Sequence, residues 1–156
     1  MTQNAINAPN TLVQFVYTNT TSRVTCNTVT PYDDTIPQNT EGNEVLTLAI
    51  TPTSANSTLE IYFSSNGSEA LLASNTVALF QDSTADALSA KAFNQIPANG
   101  CMTCSLLYKM TAGTTSATTF KIRIGVSTST YYVNGTAAGR KFGGVASTFL
   151  TIKEYI

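Results

Sequence analysis

Apolar side chains recur at every second residue over several short stretches of this chain, and Gly, Pro, Asn and Thr bound these stretches. In residues 102–110 the apolar positions run from Met102 to Met110, and residues 118–127 repeat the pattern. Successive side chains of a strand point to opposite faces, so this alternation predicts strands with one face in a core. Lys121 and Arg123 then fall on the solvent side of the second strand.

Further strands are predicted at residues 24–30, 45–51, 59–63, 73–80, 130–134 and 145–155. Residues 12–17 form a nearly continuous apolar run, which predicts a strand that is buried on both faces or lies at a subunit contact. The pair Asn66-Gly67 is typical of a tight hairpin turn. Residues 85–93 are rich in Ala, and their pattern leaves a strand and a single helical turn both open.

Eight to ten short strands without a long helix or a βαβ rhythm predict an all-β fold, an antiparallel β-sandwich of the jelly-roll type. A chain of 156 residues is long enough for one self-sufficient core. We expect a single β-sandwich domain at residues 11–156. Residues 1–10 are polar with Ile6 as their apolar anchor, and they predict a flexible N-terminal arm.

Polarity in this chain comes from Thr, Ser and Asn, because charged residues make up only 11% of it and the net charge is −1. Such a balance provides no basic field for nucleic acid, so no direct nucleic-acid binding is expected. No apolar run reaches the roughly 20 residues that span a bilayer, and residues 1–9 have no signal-peptide pattern. We therefore expect the protein to be synthesised in a cytoplasm, and we expect no association with a membrane.

The sequence offers little for catalysis, because it contains no histidine. Ser-His-Asp and Cys-His arrangements are thereby excluded, and so is the commonest ligand of transition metals. Cys101 and Cys104 have the spacing of half a zinc site, but only Cys26 remains as a partner, so we expect Cys104 in the core and Cys101 near a turn. We predict no catalytic residue, no cofactor and no metal, and hence no enzyme; a polysaccharide depolymerase remains the weakest alternative.

Asp33 and Asp34 lie in a loop between two prolines, with Glu41 and Glu44 nearby in sequence. Turn chemistry is the preferred interpretation, since Asp side chains bond their own backbone in turns. Calcium binding is the alternative, although the spacing does not match an EF-hand.

Four segments resemble structural proteins of tailed bacteriophages. They are residues 31–44 (PYDDTIPQNTEGNE), 49–55 (AITPTSA), 78–83 (ALFQDS) and 110–120 (MTAGTTSATTF). The resemblance extends from about residue 24 to the C-terminus. It implies a virion component of jelly-roll type that forms a homotrimer, and modules of this kind occur in fibres, tail tips and head-associated proteins.

The function expected from this resemblance is that of a capsid decoration or cement protein, which assembles as a trimer on the particle surface and stabilises the shell. Its partners would be copies of itself and other virion proteins, above all the major capsid protein. The alternative is a receptor-binding or tail-fibre tip that recognises a host glycan through turns at residues 66–67, 113–117 and 131–135. Residues 12–17 and the two consecutive tyrosines, Tyr131 and Tyr132, provide more apolar surface than the core of one small sandwich needs. The candidate contact residues are Ile6, Leu12, Phe15, Tyr17, Tyr131 and Tyr132.

Overall fold

The computed structural model describes residues 11–94 and 100–156, which form two antiparallel sheets packed face to face. The predicted arm at residues 1–10, including Ile6, lies outside the described residues. The strands are β1 (Leu12–Thr20), β2 (Val24–Cys26), β3 (Asn43–Ile50), β4 (Thr58–Glu69), β5 (Ser74–Gln81), β6 (Ser89–Asn94), β7 (Met102–Thr111), β8 (Thr118–Val126), β9 (Tyr131–Val133), β10 (Gly135–Thr136), β11 (Gly139–Arg140) and β12 (Thr148–Tyr155). A single 3₁₀ turn, Phe142–Gly144, precedes β12.

The strand order is that of a jelly roll. Sheet A has the order β1-β12-β4-β7, and sheet B has the order β3-β8-β5-β6. From β3 to β5 the chain passes from one sheet to the other and back, and β7, β8 and β12 alternate between the sheets again. The short strands β9 and β2 extend sheet A beside the end of β4, beyond β12. The predicted all-β antiparallel sandwich is therefore confirmed.

The core lies between the sheets and is built by the predicted alternation. Its largest fully buried side chains are Tyr131, Phe63, Phe80, Phe120, Leu59, Ile61, Leu79, Leu106, Ile122, Ile124, Leu150 and Ile152. All except Phe80, which lies on the other side of β5, point into the space between the sheets. The strands predicted at residues 102–110 and 118–127 are confirmed as β7 and β8.

One of the predicted local structures is wrong, and an alternative that the sequence left open is decided. Asn66-Gly67 is not a turn, because β4 continues through it and pairs there with both β7 and β9. A Cβ on Gly67 would lie 2.5 Å from the Tyr131 hydroxyl, so the glycine serves this close approach. Of the two possibilities left open for residues 85–93, the structure has the strand, since β6 pairs with β5 from Ser89 onwards.

Strand boundaries differ at two further places. The strand predicted at residues 24–30 ends at Cys26, after which the chain crosses to sheet B, where Val29 bridges Val126. β1 is not buried on both faces, because it forms the exposed edge of sheet A beside β12. Of the two interpretations of residues 12–17, only the subunit contact remains open.

Candidate assembly surface

The outer face of sheet A, which points away from the core, carries a row of apolar side chains. Tyr17 of β1 lies opposite Thr151 of β12, and Thr151 lies opposite Tyr62 of β4. Tyr62 in turn lies opposite Leu107 of β7. Four neighbouring strands thus place two tyrosines and a leucine in one line across the sheet.

Adjacent rows widen this apolar surface. Phe149 of β12 contacts Tyr62, with 5.9 Å between the ring centroids. Phe15 lies two residues before Tyr17 on the same face of β1. Phe15, Tyr17 and Leu107 are 53%, 51% and 50% exposed. We call this surface, formed by Phe15, Tyr17, Tyr62, Leu107 and Phe149, the open face.

A charged row crosses the open face next to the apolar one. Glu60 of β4 lies between two lysines, with Lys109 Nζ at 2.9 Å and Lys153 Nζ at 3.6 Å from its carboxylate oxygens. The hydrogen bond from Lys109, together with the charge of Lys153, holds the pKa of Glu60 below its ordinary value. The row therefore carries one excess positive charge.

The outer face of sheet B is different, because the chain itself covers it. Ala78 and Phe80 of β5 point away from the core, yet they are 3% and 1% exposed. Residues 27–42, which join β2 to β3, pass over this side, where they hydrogen bond with the β5–β6 connection and line clefts together with Thr76 and Ala90. We call this segment the covering loop.

Both ends of the covering loop are held together, as in an Ω-loop. The Asn43 side chain accepts hydrogen bonds from Asn27 N and Thr28 N at 2.8 Å. Gly42 N donates to the Val29 carbonyl oxygen at 3.2 Å. The covering loop is thus a fixed part of the fold.

Contacts along its length also fix the covering loop to sheet B. Arg123 donates from Nε to the Glu41 carbonyl oxygen at 2.7 Å and from a terminal nitrogen to the Gly42 carbonyl oxygen at 2.8 Å. Gln38 Nε2 donates to an Asp86 carboxylate oxygen at 2.9 Å. Arg123 was predicted to face solvent. It lies on the outer face of the sheet, but its guanidinium group hydrogen bonds with the covering loop.

Two acidic residues of the covering loop, Asp33 and Glu41, accept hydrogen bonds within turns. Asp33 Oδ1 accepts hydrogen bonds from Thr35 N at 2.9 Å and from the Thr35 hydroxyl. A Glu41 carboxylate oxygen accepts a hydrogen bond from Gln38 N at 3.0 Å. Glu44 lies in β3, where its carboxylate oxygen is 3.8 Å from a guanidinium nitrogen of Arg123. Across residues 11–94 and 100–156, no three carboxylate or thiol groups gather closely enough to hold a metal ion.

Four of the six candidate contact residues belong to one side of sheet A. Leu12, Phe15 and Tyr17 are exposed on β1. Tyr132 pairs with Thr25 and Ser68 on the outer side, and the Arg23 guanidinium lies 4.2 Å from its ring centroid. These residues are available at the surface, whereas Ile6 lies outside the described residues.

The prediction that Tyr131 is a contact residue, together with Tyr132, is wrong. Its side chain is 0% exposed and packs edge-on against Phe93, with ring centroids 5.2 Å apart. Neighbouring residues of β9 point to opposite faces, so only one of the two tyrosines faces outward. Tyr131 is a core residue and offers no surface to a partner.

Three residues of the open face, Tyr62, Leu107 and Phe149, do not appear among the sequence-predicted contacts. A signal for them exists in the alternation itself. Each occupies a position that the pattern assigns to solvent, next to core residues Ile61, Leu106 and Leu150. Large apolar residues at solvent positions of two-sided strands indicate a second buried surface.

The cysteines occupy the predicted places. Cys104 is buried in the core and Cys101 is exposed just before β7. Burial raises the pKa of the Cys26 thiol, as well as that of Cys104, to about 12. Both buried thiols are therefore protonated and unreactive at neutral pH.

Two buried carboxylates lie at opposite ends of β4. Glu154 pairs with Leu59 near the start of β4, and Glu69 ends that strand. Leu59 and Glu69 are ten residues apart along β4, which corresponds to roughly 30 Å. Glycosidases place their two carboxyl groups about 5–10 Å apart, so these two acids do not form such a pair.

Comparison with known proteins gives similarity at the level of the fold. No protein-family model and no curated protein matches this chain. The Eiger TNF structure from S. frugiperda matches with a TM-score of 0.51 and 9% identity, over 90% of this chain and 92% of that one. At this identity the match concerns the fold alone.

Weaker matches are found to parts of longer proteins. The insecticidal δ-endotoxin Cry8Ea1 of Bacillus thuringiensis has a TM-score of 0.41 and 9% identity, over 72% of this chain and 18% of that one. Tailspike protein 4 of bacteriophage CBA120 has a TM-score of 0.30 and 10% identity, over 77% of this chain and 18% of that one.

In the part of the chain that the structure describes, no helix has the length and apolar character needed to cross a membrane.

Proposed function

We propose that this chain is a non-enzymatic structural protein of a phage particle, a decoration or cement protein that assembles as a homotrimer on the outside of the shell. Its main partners are copies of itself and the major capsid protein. Binding across neighbouring capsid subunits would favour the assembled shell over its separated parts by mass action. The resemblance of the covering loop and three other segments to phage structural proteins supports the virion assignment.

The contrast between the two outer faces carries the assembly part of this proposal. Sheet B is covered by the chain's own loop, and even Phe80 on its outer side is buried. Sheet A leaves Phe15, Tyr17 and Leu107 about half exposed on one continuous surface. An apolar sheet face of this kind is typical of a protein interface.

Burial of the open face would contribute favourably to association. Burying the exposed half of a large apolar side chain contributes on the order of 1–2 kcal/mol. Phe15, Tyr17 and Leu107 together would then contribute several kcal/mol, with Tyr62 and Phe149 adding to this. Each 1.4 kcal/mol changes a dissociation constant tenfold, so a single truncation at the centre of the face should weaken assembly measurably.

Leu107→Ser tests this use of the open face. We expect the wild-type protein to sediment as a trimer and the variant to dissociate at a protein concentration about ten times higher. Leu71→Ser is the matched control, because Leu71 is 66% exposed in the turn between β4 and β5, away from the open face. The control should sediment like the wild type, and equal behaviour of both variants would contradict the proposal.

The virion part of the proposal is tested with the same proteins. Particles that lack this chain should bind the wild-type protein on their shell and then release their DNA at a higher temperature. Binding to the tail alone, or to a host glycan without binding to the shell, would instead support the receptor-binding alternative. That alternative has less support from the surface, because Asn66-Gly67 lies within β4 and Tyr131 is buried.

A further inference from the structure

Charged residues divide unequally between the two sides of the sandwich. All eight basic and nine acidic side chains lie within the described ranges, so their distribution is known in full. Sheet B, the covering loop and the β5–β6 connection carry six carboxylates against three cations. The carboxylates are Asp33, Asp34, Glu41, Glu44, Asp82 and Asp86, and the cations are Lys91, Lys121 and Arg123.

The side of sheet A has the opposite sign. Two of its three acidic residues, Glu69 and Glu154, are buried, which leaves Glu60 as its surface carboxylate. Five basic residues accompany it in sheet A and its connections. These are Arg23, Lys109, Arg140, Lys141 and Lys153.

We propose that copies of this chain associate face to back: the open face of one copy packs against the covering loop of the next. This inference rests on the assembly function proposed above and specifies the surface that the open face contacts. The occupant of the open face is thus a second copy of the same chain, which presents a different surface.

Charge favours this arrangement over contact between two open faces. Two open faces would bring the Lys109-Glu60-Lys153 rows together, each with an excess positive charge. The covering loop instead presents Asp33 and Asp34, both exposed. Complementary potentials favour an encounter, whereas like charges across an interface weaken it.

Shape and apolar character agree with the charge. The covering loop, the β5–β6 connection and β6 border an open cleft of about 320 Å³, lined on the loop side by Asp33, Asp34 and Ile36. Lys109, whose side chain is 59% exposed, projects from the open face and can enter such a cleft. Tyr32 and Ile36, which are 62% and 57% exposed, provide apolar surface beside the carboxylates.

A contact between two different surfaces leaves one free surface of each kind on the pair, so further copies add, as a closed ring if the rotation per contact closes and as a filament if it does not. The several kcal/mol that burial of one open face would contribute is comparable to the roughly 4–15 kcal/mol that association costs in lost translational and rotational freedom. One such contact is weak by itself. A closed trimer, in which every copy makes two contacts, is therefore favoured over a dimer.

Inversion of charge on each surface tests the arrangement. The face variant, Glu60→Lys with Lys109→Glu and Lys153→Glu, reverses the sign of the row and keeps its two ion pairs. The loop variant, Asp33→Asn with Asp34→Lys, retains an acceptor for Thr35 N and changes the charge at residues 33–34 from −2 to +1. Each variant should raise the dissociation constant of the assembly tenfold or more, measured by sedimentation at low salt.

Combining both sets of substitutions in one chain should restore association to within about threefold of the wild type. Thr115→Lys, a charge added in the exposed β7–β8 turn, is the control and should leave association unchanged. Additive losses in the combined variant, or no loss in either single variant, would overturn the face-to-back arrangement. A wild-type protein that does not self-associate at all would instead overturn the proposed assembly function itself.

Discussion

At the scale of single residues, the two buried carboxylates have opposite effects on stability. Burial alone would raise the pKa of Glu154, but hydrogen bonds from Ser57, Thr53 and Ser54 lower it below its ordinary value of 4.5. Thr53 donates from both its backbone nitrogen and its hydroxyl at 2.8 Å. For Glu69, burial dominates over the hydrogen bonds from Asn75 and Ala73, and its pKa is raised.

The pH dependence follows from these directions. Glu154 stabilises the fold above its ordinary pKa of 4.5, and this contribution is lost as the pH falls through its lower folded-state pKa. The contribution of Glu69 is fully present below the ordinary pKa of 4.5 and is lost as the pH rises through its higher folded-state pKa.

We therefore expect Glu154→Gln and Glu69→Gln to change the stability at pH 7 in opposite directions. Glu154→Gln should lower the free energy of unfolding by about 2 kcal/mol, the typical value of hydrogen bonds to a charged group. Glu69→Gln should raise the free energy of unfolding. Urea denaturation between pH 3 and pH 7 at constant protein concentration measures both, and each difference from the wild type should shrink at low pH. Destabilisation by both substitutions at pH 7 would contradict the assignment.

At the scale of elements, alternation made most strands predictable. β7 and β8 have one apolar and one polar face, and their core residues follow from the pattern alone. β4 is harder to predict, because Asn66-Gly67 is a strong local turn signal but lies where β4 pairs with both β7 and β9. Long-range pairing overrides a local turn preference there.

The candidate surface was only partly predictable for a similar reason. The apolar run in β1 identifies Phe15 and Tyr17, since it exceeds the requirement of a single core face. Tyr131 and Tyr132 cannot be assigned to inside or outside until the register of β9 is known. The role of the covering loop was not predictable from periodicity, because its contacts with sheet B join residues far apart in the sequence.

The attachment of the covering loop depends on one glycine. A Cβ on Gly125 of β8 would lie 1.9 Å from Thr30 Oγ1 and 2.5 Å from Thr30 Cβ. Thr30 is itself 4% exposed, so it has no room to move aside without lifting the loop.

Gly125→Ala should therefore loosen the covering loop and destabilise the protein by about 1–3 kcal/mol, the usual cost of overpacking. Hydrogen exchange of the Thr30 backbone amide should become faster, because its bond to the Val126 carbonyl oxygen breaks when the loop lifts. The double variant Gly125→Ala with Thr30→Gly removes the clash and should recover part of the protection. Unchanged exchange in Gly125→Ala would show that the loop is held elsewhere.

At the scale of the whole molecule, the outer face of one sheet is covered by the chain itself and the outer face of the other is exposed. The covering loop buries the outer face of sheet B and gives that side its acidic character. The open face of sheet A combines exposed aromatic residues with an excess of basic ones. A protein with two complementary, unlike surfaces is suited to repeated assembly, which agrees with a role as a building block.

Hydroxyl-radical footprinting of the purified protein tests this account most directly, because it measures the accessibility of individual side chains as the assembly forms. Between a dilute and a concentrated sample, Phe15, Tyr17 and Tyr62 should lose reactivity together, and Tyr32 on the covering loop should lose it with them. Phe142, which is 72% exposed and lies outside both surfaces, should remain reactive throughout. Undiminished reactivity of Phe15, Tyr17 and Tyr62 in the assembled protein would contradict the central claim that copies of this chain meet at the open face.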